Sequence, residues 1–553
     1  MAISLRNPMT IMATEAGATD SSVKITNYSA GTITGKNFGT AAGVVYLLNR
    51  DTHSYVQQTV STWGDEEIIL QNPIDTSTIE GTTCFFVRTA KSANSNKWLI
   101  EGDIAVTGYY YLYVKDLSGT VHKLKSNSSA DMSILIGTTP SVTSGYVSST
   151  FYGKSATLDN LTFNTSQIVG VQFGTSISYV IPSSFLTGLT NLDQPVVIKS
   201  GMTINNNSNF FMYNCRNFNC PLVFDGLTSN QTRCGTYFMG KCINFNQPLN
   251  LDRFVYLNAN GFLSNCWSFN SELKLTESLN SSARTLAAYF MERCVSFNQP
   301  LTLPNNITSI GNYFMYLCSA FNQPLEFDLS VSGSSSIGTY FLCYCYAFNQ
   351  PLDFSHTKIT ATPNYFMYCC KSFNSPILFP STLTTIGSYF LATTTGTTST
   401  VTTNLPYGGS FNQDLDLSNV TSISTYFLAN QVSFNSQLNI SKVTGIGNYF
   451  MQNCASFAQP ITIPSTATTI GSSFMSNILT TRKMTVNTSA VPAATSSLNQ
   501  TSTTSVYLPS QIDATCPAYV SGVYLYGTQR TAWLNGLPNS SSSPWRNLIN
   551  GGS

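Results

Sequence analysis

Residues 312–325 read NYFMYLCSAFNQPL, residues 339–352 read TYFLCYCYAFNQPL, and residues 364–377 read NYFMYCCKSFNSPI. Each stretch is one statement of a repeat that recurs along the chain. Aligned on the Phe of Phe-Asn, its anchors are Phe218, Phe245, Phe269, Phe297, Phe321, Phe348, Phe373, Phe411, Phe434 and Phe457. Successive anchors stand 23–28 residues apart, except for a gap of 38 where about 14 Thr-rich residues are inserted near 391–404. Leu192-Asp193-Gln194-Pro195-Val196 is a degenerate copy that opens the array. A period near 25 residues is one coil of a solenoid, in which no coil can bury its apolar face alone.

Within a coil the leading Phe, the Cys and the anchor fall at i, i+4 and i+7, as in Phe314, Cys318 and Phe321. This spacing predicts a short helix or helical turn over YFMxxC. The Pro that follows ends it, and an alternating segment such as Leu301-Thr302-Leu303 reads as a short strand. Asn follows the anchor in nine of ten copies, among them Asn219, Asn246, Asn298 and Asn322, with Ala458 the exception. A buried Asn at a fixed place in each coil is suited to hydrogen-bonding the next coil's backbone, a structural role.

Eight cysteines stand three residues before an anchor: Cys215, Cys242, Cys266, Cys294, Cys318, Cys345, Cys370 and Cys454. Stacked, they form a ladder of small buried residues. The alternatives are a stray disulfide, or a metal or redox cluster at Cys343, Cys345, Cys369 and Cys370, of which only Cys345 and Cys370 share a register. A tyrosine stands eight residues before seven of the anchors: Tyr237, Tyr289, Tyr313, Tyr340, Tyr365, Tyr426 and Tyr449. It is the best candidate for a binding stripe. The competing reading packs these rings along the helix with hydroxyls at the rim.

The motif YFMxxCxxFNQPL, with linking segments such as LPNNITSIGNYF and IPSTATTIGSSF, resembles BspA-type leucine-rich repeats of bacterial, protozoan and phage surface proteins. The resemblance implies a right-handed solenoid with a parallel sheet, non-enzymatic, that binds host proteins or cell surfaces. The expected fold class is therefore an α/β repeat solenoid of the leucine-rich-repeat type, about 11 coils of about 25 residues, over 185–487. Bacterial members begin with a signal sequence. Residues 1–19 here, an N-terminal arm, show no apolar core of that kind.

Residues 20–137 differ in texture, with β-rich blocks VVYLL, EEIIL and CFFVRT between Gly, Asn and Asp turns. They read as an all-β immunoglobulin-like sandwich. The stretch ITGKNFGTAAGVVYL followed by Trp63 resembles an IPT/TIG module, which implies an early turn at Gly35–Gly39 and a core role for Trp63. The hairpin within 102–137 either completes that domain or forms a second one. Residues 138–184 read as a linker or N-terminal cap and 488–553 as a C-terminal cap, since an uncapped coil exposes its apolar face.

Composition bounds the chemistry. Charged residues make up 9% of the 553, net charge is +1 and there are 3 His, while aromatics reach 12%. An ordinary domain carries about 25% charged residues. Such a chain has no field to gather nucleic acid, and no run of about 18 apolar residues for membrane insertion. No nucleophile, phosphate-binding or metal motif occurs in a suitable context. The expectation is no catalytic site, no metal and no cofactor. The leading functional reading is a structural protein of a bacteriophage virion surface: a head or tail fibre, spike or decoration protein. It would be assembled in the host cytoplasm, attached to other virion proteins through its N-terminal domain, and able to form homo-oligomers. The solenoid would adhere to a host-surface glycan or protein as receptor. The alternatives are a cellular BspA-like adhesin at the cell surface and, third, a glycan-degrading fibre.

Overall fold

The computed structural model describes residues 22–475 apart from 139–141, 144–145, 148–153, 205–207, 327–335, 395–407 and further positions within 226–231, 278–283 and 460–472. Beyond these it describes only the strands at 484–486, 519–520 and 523–525. The described residues divide into two compact units, one up to Pro304 and one from Asn305.

The first unit opens with eight strands: β1 (Lys24–Ser29), β2 (Thr32–Lys36), β3 (Val44–Asn49), β4 (Ser54–Gln58), β5 (Val60–Trp63), β6 (Glu67–Leu70), β7 (Thr82–Arg88) and β8 (Trp98–Glu101). They form two antiparallel sheets, β1-β2-β6-β5 and β4-β3-β7-β8, around one core of Ile25, Ile33, Phe38, Val45, Ile68, Phe85, Val87 and Ile100. Gly35 is required where β2 turns: a Cβ there would lie 2.1 Å from the Lys24 carbonyl and 2.3 Å from the Phe38 ring. Trp63 is half-buried against the same core, and its Nε1 donates to the Gly39 carbonyl at 2.8 Å.

The hairpin of β9 (Tyr110–Lys115) and β10 (Val121–Ser126) leaves this sandwich. Beyond β11 (Val142–Thr143), β12 (Tyr146–Val147), β13 (Ser155–Leu158) and β14 (Leu161–Asn164), the strand β15 (Ile168–Phe173) returns to pair antiparallel with β9. Ring contacts Tyr110–Phe173, Phe173–Phe185 and Phe185–Phe211 carry this three-stranded sheet into the first coils. The sheet therefore packs against the start of the solenoid.

The sandwich is fastened to those coils by buried polar contacts. Arg50 donates to Gln194 Oε1 at 3.0 Å, to the Thr82 carbonyl at 2.8 Å and to the Val171 carbonyl at 2.8 Å. The Lys97 amide donates to Gln247 Oε1 at 2.5 Å, and its ammonium pairs with Asp193 at 3.4 Å. Lys24 and Glu101 add pairs to Glu272 and Lys199.

The repeats form a β-solenoid of about 11 turns, with nearly no helix. Among the described residues the helical elements are 3-10 turns at Thr76–Thr78, Asp131–Leu135 and Thr165–Gln167, all outside the Phe-Asn repeats. The expected α/β label and the helix over YFMxxC are thus corrected. In the coil of Tyr313 the Tyr316 amide donates to the Tyr313 carbonyl and the Cys318 amide to the Met315 carbonyl. Met315 and Leu317, each third in its turn, have φ of 49° and 59°. These are two overlapping type II turns. They place Phe314, Cys318 and Phe321 inward, as the helical spacing would, but with alternating backbone handedness.

The reason lies between coils. A helix would keep its amide hydrogens for itself. Here Tyr340 and Tyr344 donate forward to the carbonyls of Asn364 and Tyr368, and Leu342 donates back to that of Phe314. Left-handed conformation costs a non-glycine residue about 1–2 kcal/mol, roughly what one inter-coil hydrogen bond returns. The balance tips because each double turn also buries a Phe and a Met or Leu, about 2–3 kcal/mol per side chain.

Two inner Phe ladders result. The anchors stack at 5.6–5.7 Å from Phe218 to Phe297 in the first unit. In the second they stack at 5.6–6.0 Å from Phe321 to Phe457. The insertion leaves both ladders in register, with Phe373–Phe411 at 5.6 Å and Phe390–Phe427 at 5.7 Å. Short parallel strands complete the coils, for example Leu249–Leu251 with Leu273–Leu275 and Ser422–Ile423 with Gly445–Ile446. Asp193 of the opening copy takes the Asn role, accepting from the Asn219 amide at 3.1 Å. The expected C-terminal cap falls largely outside the described residues; within it, Val523–Leu525 pairs in parallel with Met484–Val486.

Candidate binding surface

The Asn after each anchor ties coil to coil. Asn246 accepts from the Asn270 amide at 2.8 Å and Asn270 from that of Asn298 at 2.7 Å. Asn322 accepts from that of Asn349 at 2.8 Å, and Asn435 from that of Ala458 at 2.7 Å. These side chains are half-buried or exposed rather than buried, because each needs only the rim of the neighbouring turn. Gln350 and Ser375 fill remaining acceptor capacity on Asn322 and Asn349. The row is largely self-satisfied.

The cysteine ladder does more than fill space. Cys215, Cys242, Cys266, Cys294, Cys345, Cys370 and Cys454 each donate to a main-chain carbonyl in the preceding coil, at 2.9–3.2 Å. The acceptor is the left-handed Met or Leu of the turn pair. Burial pushes the thiols of Cys215, Cys266 and Cys345 well up, so they remain protonated donors. The 13 described cysteines are all buried thiols outside any disulfide. Cys343 and Cys369 sit outside the ladder, and no group of three or more His, Cys, Asp or Glu converges among the described residues.

The predicted tyrosines divide. Tyr237 is buried and stacks on Phe210 at 5.8 Å, and Tyr289 is half-buried in the first unit beside Glu292. Tyr313, Tyr340, Tyr365, Tyr426 and Tyr449 form one stack in the second unit, with Tyr389 between Tyr365 and Tyr426. The insertion displaces the anchor that follows Tyr389, so counting back eight residues passes over it. Centroids are 4.3–4.5 Å apart with planes within 10°. Tyr316 and Tyr368 pack edge-on against the stack, and Tyr344 packs edge-on against both of them.

This geometry limits what the stripe can do. Both faces of each ring from Tyr340 to Tyr426 are covered by neighbouring tyrosines, so a sugar ring cannot stack on them. What the stripe offers is a row of half-buried hydroxyls that hydrogen-bond along the stack. Burial pushes the phenols of Tyr340 and Tyr365 up and that of Tyr426 up to about 12, so the row stays neutral. Five residues before Tyr389, Tyr426 and Tyr449 stand exposed Thr384, Thr421 and Thr444, which continue into Thr468 as a second row; three of the four hydroxyls donate to the carbonyl of the preceding Thr. A polar cleft of about 240 Å³ lined by Asn209, Arg233, Cys234, Thr236, Asn258 and Asn260 is small for an organic ligand.

Residues 284–410 and 421–519 match the family model of the BspA type leucine rich repeat region, in six copies. The chain carries BspA-type repeats. No curated protein matches it. The matched segments hold the whole stack from Tyr313 to Tyr449, so the tyrosine stripe is built on the BspA-type repeats themselves. No helix of the described residues is long and apolar enough to cross a membrane.

Proposed function

We propose that the chain is a non-enzymatic surface protein whose BspA-type repeats serve adhesion, and that the surface is a phage virion. The six matched repeats carry the adhesion reading. The contact face is the neutral row of tyrosine hydroxyls with its flanking Thr and Asn, which would recognise a host glycan or protein through short-range hydrogen bonds. The free thiols support folding in a reducing compartment, as virion assembly in a host cytoplasm provides. The IPT/TIG-like reading of residues 20–137 remains part of this proposal, with the sandwich's outward strands as the attachment surface.

The test has two arms. Antibody against the full chain is applied to intact particles and to cell envelopes from the source. Labelled particles support the virion reading, and labelled envelopes without particles favour a cellular adhesin. In parallel, the purified chain is incubated with host polysaccharides. Retention without product release is expected, and hydrolysis would replace the reading with a glycan-degrading fibre.

A further inference from the structure

Cys220 breaks the repeat at one informative place. It stands directly after Asn219, where other coils carry Gln or Ser, as at Gln247, Gln299, Gln350 and Ser375. That position faces the sandwich. Cys220 Sγ lies 3.0 Å from Lys97 Nζ, and the thiol also contacts the main chain and carboxylate of Asp193 at 3.2 and 3.4 Å. Cys220 is fully buried, and the Lys97 side chain keeps only 11% of its surface. The Asp193 side chain that both groups touch keeps 29% of its surface. A primary amine is thus fixed beside a thiol across the joint between two substructures, with neither able to turn away.

We propose that Lys97 and Cys220 form a covalent N–O–S cross-link when the protein meets peroxide, locking the sandwich onto the first coil. One hydrogen peroxide oxidises the Cys220 thiol to a sulfenic acid and leaves as water. Lys97 sheds its extra proton to solvent. A second peroxide accepts two electrons and two protons, becoming two waters, as the nitrogen bonds to the sulfenic oxygen. The net change on the protein is one oxygen gained and two hydrogens lost. A bridge through one oxygen leaves nitrogen and sulfur near their present separation, whereas a direct S–N bond would require closing that gap to covalent distance.

The full chain is expressed under reducing conditions, treated with dilute peroxide, and analysed by intact and peptide mass spectrometry. The expected result is a gain of about 14 Da, located in a peptide pair joining Lys97 to Cys220 and reversed by dithiothreitol. Lys97→Arg keeps the ion pair with Asp193 and Cys220→Ser keeps a small polar side chain; both should abolish the gain. Cys84→Ser should retain it, because the neighbouring Cys84 thiol offers a competing disulfide. A loss of about 2 Da, a gain of whole oxygens without a linked peptide, or an unchanged mass would each overturn the assignment.

Discussion

The thiol of Cys345 donates to the carbonyl oxygen of Met315 at 3.2 Å, one coil back along the solenoid. Met315 is left-handed, with φ of 49°, and the Cys318 amide already uses this carbonyl to close a type II turn. The thiol therefore serves the second lone pair of a buried, strained backbone group. Gln431 shows that the donor matters more than the sulfur. It occupies the cysteine position of its coil, and its Nε2 donates to the carbonyl of Leu391.

Cys345→Val keeps volume and removes the donor. It is expected to lower stability by about 1–2 kcal/mol, the cost of leaving a buried acceptor short of a partner. Cys345→Ser keeps a donor and should lose less. Chemical denaturation of the three proteins decides the point. If Val matches or exceeds wild type, the ladder is ordinary apolar packing and the hydrogen bond is incidental.

The backbone handedness yields a second prediction. Arg293 is exposed with φ of 58°, the third left-handed residue of its double turn. Asn tolerates this conformation better than a long side chain, and Asn stands at the same place in Asn214, Asn265, Asn430 and Asn453. Arg293→Asn should raise stability by up to about 1 kcal/mol, while β-branched Arg293→Val should lower it. Both variants lose the pair with Glu292 at 3.5 Å, so it cannot reverse their order relative to each other. Equal melting temperatures for Asn and Val variants would mean that the left-handed turn is not populated in solution.

Those asparagines also explain what could be read in advance. Coil length, the Phe, Cys and Asn registers, the opening copy at Asp193 and the insertion near 391–404 follow from spacing alone, because each coil repeats one burial pattern. The backbone that delivers the pattern does not follow, since a helix and a pair of type II turns both put Phe314, Cys318 and Phe321 inward. The discriminating signal was Asn just before the cysteine position. Tyr389 lacks the eight-residue spacing because the insertion displaces its anchor to Phe411. The docking of the sandwich through Arg50 and Lys97 has no periodic signature. Its trace is the departure of Cys220 from the repeat, meaningful only once Lys97 is seen opposite it.

Glu292 gives a pH-dependent prediction. Burial pushes its carboxyl up from the ordinary value, against the pull of Arg293 and the hydrogen bond from Ser264 Oγ at 3.0 Å. A carboxyl with a raised folded pKa favours folding while protonated. Its contribution is fully present below the unfolded value of about 4.3 and is lost as pH rises through the folded value. Glu292→Gln should therefore be more stable than wild type at neutral pH, with the advantage shrinking below about pH 4. Melting curves from acid to neutral pH measure it, and a constant difference across that range would contradict the burial argument.

The tyrosine stack sets the opposite end of the pH scale. Tyr340, Tyr365 and Tyr426 are held neutral chiefly by burial, Tyr426 up to about 12, against about 10 in an unfolded chain. Raised folded values mean that stability is intact below the unfolded value and is lost as pH climbs through the folded one. Absorbance at alkaline pH should show one group of tyrosines ionising near 10 and a later group ionising together as the protein unfolds. In denaturant a single transition should replace the two. Tyr365→Phe keeps the stacked ring and removes one hydroxyl, so the late transition should shrink by one chromophore while the fold persists. Tyr365→Ala breaks the stack, costs about 3 kcal/mol or more as a truncated aromatic, and should pull the late transition toward lower pH. If all tyrosines of the native protein ionise together near 10, the hydroxyl row is open to water. A surface that wet would then bind through Thr and Asn, and the stack would be a spine of the solenoid rather than its contact face.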